Sequence, residues 1–274
     1  MVPDEYSEYF EGTTLSRTPE SGQKGCYAKV SEPKGPNGRS LLWPNRYAFK
    51  QPGCSMTSYV TIVLATHNQG KLSELKSMLN DWPVKLLSLA DFGPIPEVVE
   101  DGETFGVNAY KKASQTARIL GRVVLADDSG LCVEALDGRP GVYSARYGGP
   151  GLSDRERGEK LLEEMKDKTN RKAAFECVIS IAVPEGPALT YEGRCEGVIA
   201  DKMIGDNGFG YDPLFLEPTT SQTFAQMSNA AKARYSHRGR ALRELKSEFD
   251  KVLKWIAIHM PPTAAHTCTG ARHD

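Results

Sequence analysis

Residues 60–80 read VTIVLATHNQGKLSELKSMLN, and the hydrophobic period changes partway along. Val60 to Ala65 is a run of apolar and β-branched residues of strand length. Leu72, Leu75, Met78 and Leu79 then recur at helical spacing, so the following segment has one apolar face. A strand running into a helix is a βα unit, and the rest of the fold reads outward from it. The connecting THNQGK places Thr66, Asn68, Gly70 and Lys71 at the helix mouth, where backbone N–H groups and the helix dipole favour an anion such as phosphate. The turn is too short for a GxxxxGK[ST] loop and has no GxGxxG. Taken alone, it reads more readily as a helix cap.

Downstream, VKLLSL (84–89) reads as a second strand. Phe105, Ala109, Ala113, Ala117 and Leu120 follow at near-helical spacing, and VVLA (123–126) as a short third strand. This half is α/β. Ser153 with Glu156 three residues later forms a capping box that opens a helix through Leu161, Leu162 and Met165. AAFECVISIAV (173–183) and ALTYEGRCEGVIA (188–200), separated by PEGP, predict an antiparallel hairpin and hence a mixed sheet. A single helix through Leu242, Leu245, Phe249, Leu253 and Ile256 is expected to close the ordered region.

The 274 residues are 39% hydrophobic and 25% charged, enough for a sizeable core. The net charge of -1 opposes a uniformly basic nucleic-acid surface, and no stretch approaches the roughly 20 apolar residues of a membrane span. A cytoplasmic protein is expected. Residues 1–55 are rich in Gly, Pro, Ser, Lys and Glu without sustained period, and read as a disordered or vector-derived extension before a start at Met56. The ordered domain is then expected to span 56–260, and 261–274 reads as a flexible tail opened by a Pro pair. The six cysteines are scattered without CxxC or zinc spacing, so reduced thiols are expected.

Four further clusters could carry chemistry. LADDSG (125–130) brings Asp127, Asp128 and Ser129 to the end of a strand in what reads as a Gly turn. Adjacent carboxylates need a cation or donors; Mg2+ with phosphate and water is one answer, and a solvated turn is the plainer one. EDGE (100–103) precedes a helix, where acids suit the dipole, and Glu100 is a candidate to share a metal with Asp128. GDNGFGYDP (205–213) combines glycines with Phe209 and Tyr211 as ring faces and Asp212 as an acceptor, although such turns are common. KARYSHRG (232–239) offers Lys232, His237 and Arg238 as donors at a helix entry, where cations oppose the dipole.

The ordered set THNQGK, EDGETF, ADDSG, PGVYSARY, GFGYDP and SHRG closely resembles the inosine triphosphate pyrophosphatase family, the non-canonical purine nucleoside triphosphate pyrophosphatases of the bacterial XTP/dITP type. The match runs from about Val60 to Trp255. The resemblance implies an elongated mixed α/β subunit with two lobes around a nucleotide cleft, a homodimer, and water attack at the α-phosphorus of ITP, dITP or XTP with release of pyrophosphate. It implies Thr66, Asn68 and Lys71 as triphosphate ligands, Glu100 and Asp128 as Mg2+ ligands, Asp128 also as general base, and Ser129 as a substrate contact. It further implies Phe209, Gly210, Tyr211 and Asp212 as the base-binding segment with Lys232, His237 and Arg238 as its partners. His67 receives no role. A nucleotide-binding sensor without turnover and a pyrophosphatase of dTTP or UTP are the competing functions.

Overall fold

The structure, a computed structural model, describes residues 60–260. The extension expected over 1–55, the proposed start at Met56, the tail over 261–274, and Cys26, Cys54 and Cys268 lie outside these residues. Strand β1 (Val60–Leu64) runs into helix α1 (Gln69–Leu79) and then β2 (Val84–Ser88), which pairs parallel to β1. Helix α2 (Phe105–Leu120) leads to β3 (Val123–Val133) on the other side of β1, also parallel. After α3 (Asp154–Glu164), the hairpin β4 (Lys172–Ala182) and β5 (Ala188–Ile199) extends the sheet antiparallel from β3. Two short strands, β6 (Phe215–Glu217) and β7 (Gln222–Thr223), complete the order β2-β1-β3-β4-β5-β6-β7. Helices α4 (Asn229–Tyr235), α5 (His237–Ser247) and α6 (Phe249–His259) end the described chain.

The continuous apolar run of β1 has a direct cause. Ile62 and Leu64 point into a core shared with Leu75, Leu79, Leu245 and Val252. Val63 and Ala65 point to the other face, against Ala113 and Ala117 of α2. Both faces are covered from Ile62 to Leu64, so a polar side chain there would be buried without a partner, whereas Thr61 at the start of the strand is only half-buried. On α2, Ala109, Ala113 and Ala117 are fully buried, and their small side chains let the helix lie close against the sheet. Thr104 caps its start by accepting from the Val107 N–H, and Gly121 in the left-handed region ends it. A third cluster, with Leu131, Val133, Leu161, Phe175, Phe215 and Phe224, fills the space between α3 and the antiparallel half of the sheet.

Two expectations need correction. ADDSG is not a turn, because β3 continues through it to Val133, with Asp127 opposite Ile179 and Asp128 opposite Val178 on β4. The ladder to β4 pairs the backbone here, and buried cations compensate the acids. Gly130 serves close approach rather than a reversal: a Cβ there would lie 2.4 Å from the Gly141 carbonyl oxygen and 2.5 Å from Ser144 Oγ. The single closing helix is in fact two, divided at Glu248, whose φ of -107° and ψ of 8° leave helical geometry. This break lets Phe249 turn inward to meet Trp82 edge-on at 4.7 Å between ring centroids. The hairpin, the mixed sheet and the Ser153–Glu156 capping box are as expected.

Candidate active site

The mouth of α1 is built locally. Asn68 Oδ1 accepts the Lys71 N–H at 3.0 Å, and the Asn68 N–H donates to Thr66 Oγ1 at 3.2 Å. The cap reading therefore holds for Asn68 Oδ1, while its Nδ2 remains a donor beside the cleft. Lys71 sends its ammonium across to Asp127 Oδ2 at 3.2 Å.

Asp127 and Asp128 are neighbours on a strand, so their side chains leave opposite faces of the sheet. Asp127 is fully buried and accepts from Arg238 Nη2 at 2.8 Å and Ser129 Oγ at 3.1 Å. Burial alone would lift its carboxyl, but Lys71, Arg238 and Lys112 overrule burial and hold it well below the usual carboxylate range. Asp128 accepts from Asn108 Nδ2 at 3.1 Å and from the Ser129 N–H at 3.1 Å. Burial, aided by the Glu100 charge, raises its carboxyl despite Lys71 and Lys112. The two acids thus titrate in opposite directions.

Asp128 and Glu100 line one cavity together with Thr66, Ser129, Lys112 and Arg146. Lys112 reaches Glu100 Oε1 at 2.6 Å and the Asp127 carbonyl at 3.0 Å. Burial disfavours its charge, but Asp127 and Glu100 outweigh burial and keep it firmly protonated. An aromatic cavity adjoins the first and holds Phe209, Gly210, Tyr211, Asp212, Lys232, His237 and Arg238. Asn68, Lys71 and Ser129 line both. Every residue to which the resemblance gives a role therefore lines one of these two spaces, whereas Asp127, the other acid of ADDSG, lines neither.

The aromatic cavity rests on a buried ion network. Glu74 of α1 accepts from Lys232 at 2.5 Å and from Arg238 at 2.5 Å, and Lys232 also contacts Asp212 at 2.5 Å. Arg238 adds Ser129 Oγ at 2.9 Å. Lys232 and Arg238 are thus neutralised within the protein as well as facing the cavity, and burial lifts the Asp212 carboxyl against the pull of Lys232. His237 stacks on Phe175 at 4.7 Å, and burial with the Arg238 and Lys232 charges holds its imidazole well below its usual range, hence neutral. Tyr211 spends its hydroxyl on the Ser144 carbonyl at 3.1 Å and packs inward, leaving the Phe209 ring as the more accessible face.

Phe209 lies over the α1 mouth because Gly70 has no side chain: a Cβ there would sit 2.4 Å from the ring. Lys232 stands 4.9 Å and Arg238 5.9 Å from the ring centroid. Gly208 and Gly210 adopt φ of 79° and 62°, a region open to glycine, which lets Asp212 fold back onto the Phe209 N–H at 2.9 Å.

Motif reading missed Glu74, Asn108, Lys112, Asp154 and Arg157. For two of them a signal exists. Asn108, Lys112 and Thr116 repeat every four residues beside Ala109, Ala113 and Ala117, a polar stripe on the inner side of α2. Glu74 offers none, because an acid on an amphipathic helix looks like a solvated face.

A mixed α/β sheet with a charged cleft at the carboxyl end of its parallel strand β1 defines the structural class. The chain belongs to the Ham1 family, whose profile matches residues 62–248. It is 55% identical over 216 residues to a dITP/XTP pyrophosphatase of Syntrophobacter fumaroxidans, covering 79% of this chain and 92% of the relative. It is 56% identical over 195 residues to one of Desulfotalea psychrophila, covering 71% and 87%. Among solved structures, a HAM1 protein from Coxiella burnetii aligns with a TM-score of 0.65 at 40% identity, over 70% of this chain and 99% of that one. The Staphylococcus aureus Ham1 protein aligns with a TM-score of 0.63 at 41% identity, over 70% and 99%.

Proposed function

We propose that the protein is an enzyme that hydrolyses ITP, dITP and XTP to the nucleoside monophosphate and pyrophosphate, with Mg2+ as cofactor. The observation that carries this reading is a pair of adjoining cavities, one lined by Lys71, Lys112, Glu100 and Asp128, the other by Phe209 and its cations, joined through Asn68 and Ser129. Relatives at 55% and 56% identity are dITP/XTP pyrophosphatases.

In this reading the N–H groups at the α1 mouth, Thr66, Asn68 Nδ2 and Lys71 hold the triphosphate, with Lys112 and Arg146 adding charge. Glu100 and Asp128 hold the cation. Two carboxylates, with the other positions left to phosphate oxygens and water, form a donor set that suits Mg2+. Among the described residues no group of three His, Cys, Asp or Glu is placed to hold a metal without such help. When bound, the cation neutralises charge on the phosphate oxygens. Asp128, its Oδ2 fixed by Asn108, orients a water toward the α-phosphorus and takes its proton as the bond to the leaving pyrophosphate breaks. In the aromatic cavity Phe209 stacks on the purine, and donors from Lys232, His237 and Arg238 meet the carbonyl at position 6. The amino group of adenine opposes those donors, at about 1–3 kcal/mol for an unpaired buried group.

The test is pyrophosphate release from ITP, dITP, XTP, dTTP and UTP with and without Mg2+. Release from the first three that needs Mg2+ is expected. Binding without turnover would instead identify a sensor, and preference for dTTP or UTP a pyrimidine enzyme. The homodimer and the cytoplasmic setting belong to the same proposal; no described helix is long and apolar enough to cross a membrane.

A further inference from the structure

The hydrolase reading leaves one selection without a residue. Hypoxanthine, xanthine and guanine share the carbonyl at position 6 and differ at position 2, which carries hydrogen, a carbonyl or an amino group respectively. Donors that meet position 6 cannot tell them apart.

Two residues of α3, Asp154 and Arg157, line the aromatic cavity beside Phe209 and Asp212. Taken by themselves they are an i,i+3 ion pair of the kind that is worth little on a helix surface. Two observations set them apart. Arg157 is largely buried, with 17% of its side chain exposed, and it donates from Nη1 to the Leu152 carbonyl and from Nη2 to Asp154 Oδ1. Asp154 Oδ2 in turn accepts the Gly210 N–H at 2.6 Å, so the pair is locked to the segment that carries Phe209. Lys232 and Arg238 each meet two carboxylates at the buried side of the cavity, whereas Asp154, the partner of Arg157, is 47% exposed.

A guanidinium has five N–H donors and no acceptor, and two are engaged as described. Arg157 can therefore offer the cavity only donors. A carbonyl at position 2 satisfies such a donor; an amino group sets donor against donor and leaves both desolvated. We propose that Arg157, held in place by Asp154 and the Gly210 N–H, is a specificity-determining residue that favours xanthine and disfavours guanine by reading position 2 of the base. The proposal rests on the hydrolase reading above.

The experiment compares kcat/KM for XTP, ITP and GTP in the wild type, R157M and R157K, all with Mg2+. ITP lacks a group at position 2 and serves as the internal reference. In R157M the XTP to ITP ratio should fall about tenfold, the scale of one lost hydrogen bond to a charged group, and the GTP to ITP ratio should rise. R157K keeps the charge without the planar fork and should lose part of the XTP preference; it carries the test should R157M not fold. Parallel loss on all three substrates, with both ratios within twofold of wild type, would overturn the proposal. Wild-type protein that turns over neither ITP nor XTP would overturn the hydrolase reading itself, and the inference with it.

Discussion

Asp127 and Asp128 are adjacent on β3 yet belong to different environments: Asp127 is locked to Arg238 at 2.8 Å, while Asp128 meets Asn108 at 3.1 Å on the cavity side. A strand sends neighbouring side chains to opposite faces, so two like charges coexist without sharing a site. One acid is tied into the buried ion network, and the other faces the cavity, where the proposed reaction assigns it the role of base.

Substitution separates the two roles. Asp128→Asn should lower kcat by roughly 10²–10⁴ with little change in thermal stability. Asp127→Asn should destabilise by about 3–5 kcal/mol, because Arg238 is left buried without a full partner. Urea unfolding alongside pyrophosphate release measures both; wild-type kcat in Asp128→Asn would refute its assignment as the base.

Lys71→Ala should act mainly on binding. Loss of one charge-assisted contact to a phosphate predicts a rise in KM of roughly tenfold or more, with a smaller fall in kcat. Calorimetric titration with a non-hydrolysable triphosphate checks this, and unchanged affinity would remove Lys71 from the phosphate site.

Glu74 joins α1 to α4 and α5 through Lys232 and Arg238. Glu74→Ala leaves two buried cations short of a partner and should cost about 3–5 kcal/mol, whereas an exposed acid such as Glu159 should cost near zero when replaced. Equal midpoints for the two variants in urea would show that the network contributes nothing to stability.

His237 sets a pH dependence of stability. Its folded pKa lies well below the usual 6.5 because burial and then Arg238 and Lys232 disfavour the imidazolium. The unfolded chain therefore binds the proton first. This contribution is fully present above about pH 6.5 and is lost as pH falls below it. His237→Asn should flatten the slope of unfolding free energy between roughly pH 6.5 and 5. Identical slopes in both proteins would show that His237 is not held neutral.

Much of the fold is legible in the sequence because its causes are local. The apolar run of β1, the helical spacing after Lys71 and the caps at Asn68, Thr104 and Ser153 each depend on residues within a turn or two. The candidate site was legible as a set of motifs: all thirteen residues to which the resemblance gives a role line the two adjoining cavities. Their partners were not. Lys112 left a trace in the four-residue polar stripe of α2, but Glu74 and Arg157 resemble ordinary surface charges until the chain is folded.

By itself the sequence determined the strand and helix segments, the residue types at the cleft and the family resemblance, since backbone propensity, capping and periodicity act between near neighbours. Tertiary structure alone decided that ADDSG is the middle of a strand, that its two acids part to opposite faces, and that Glu74 is buried between Lys232 and Arg238. Those outcomes depend on pairings such as Asp127 with Arg238, 111 residues apart, where burial and charge compensation outweigh local turn preference.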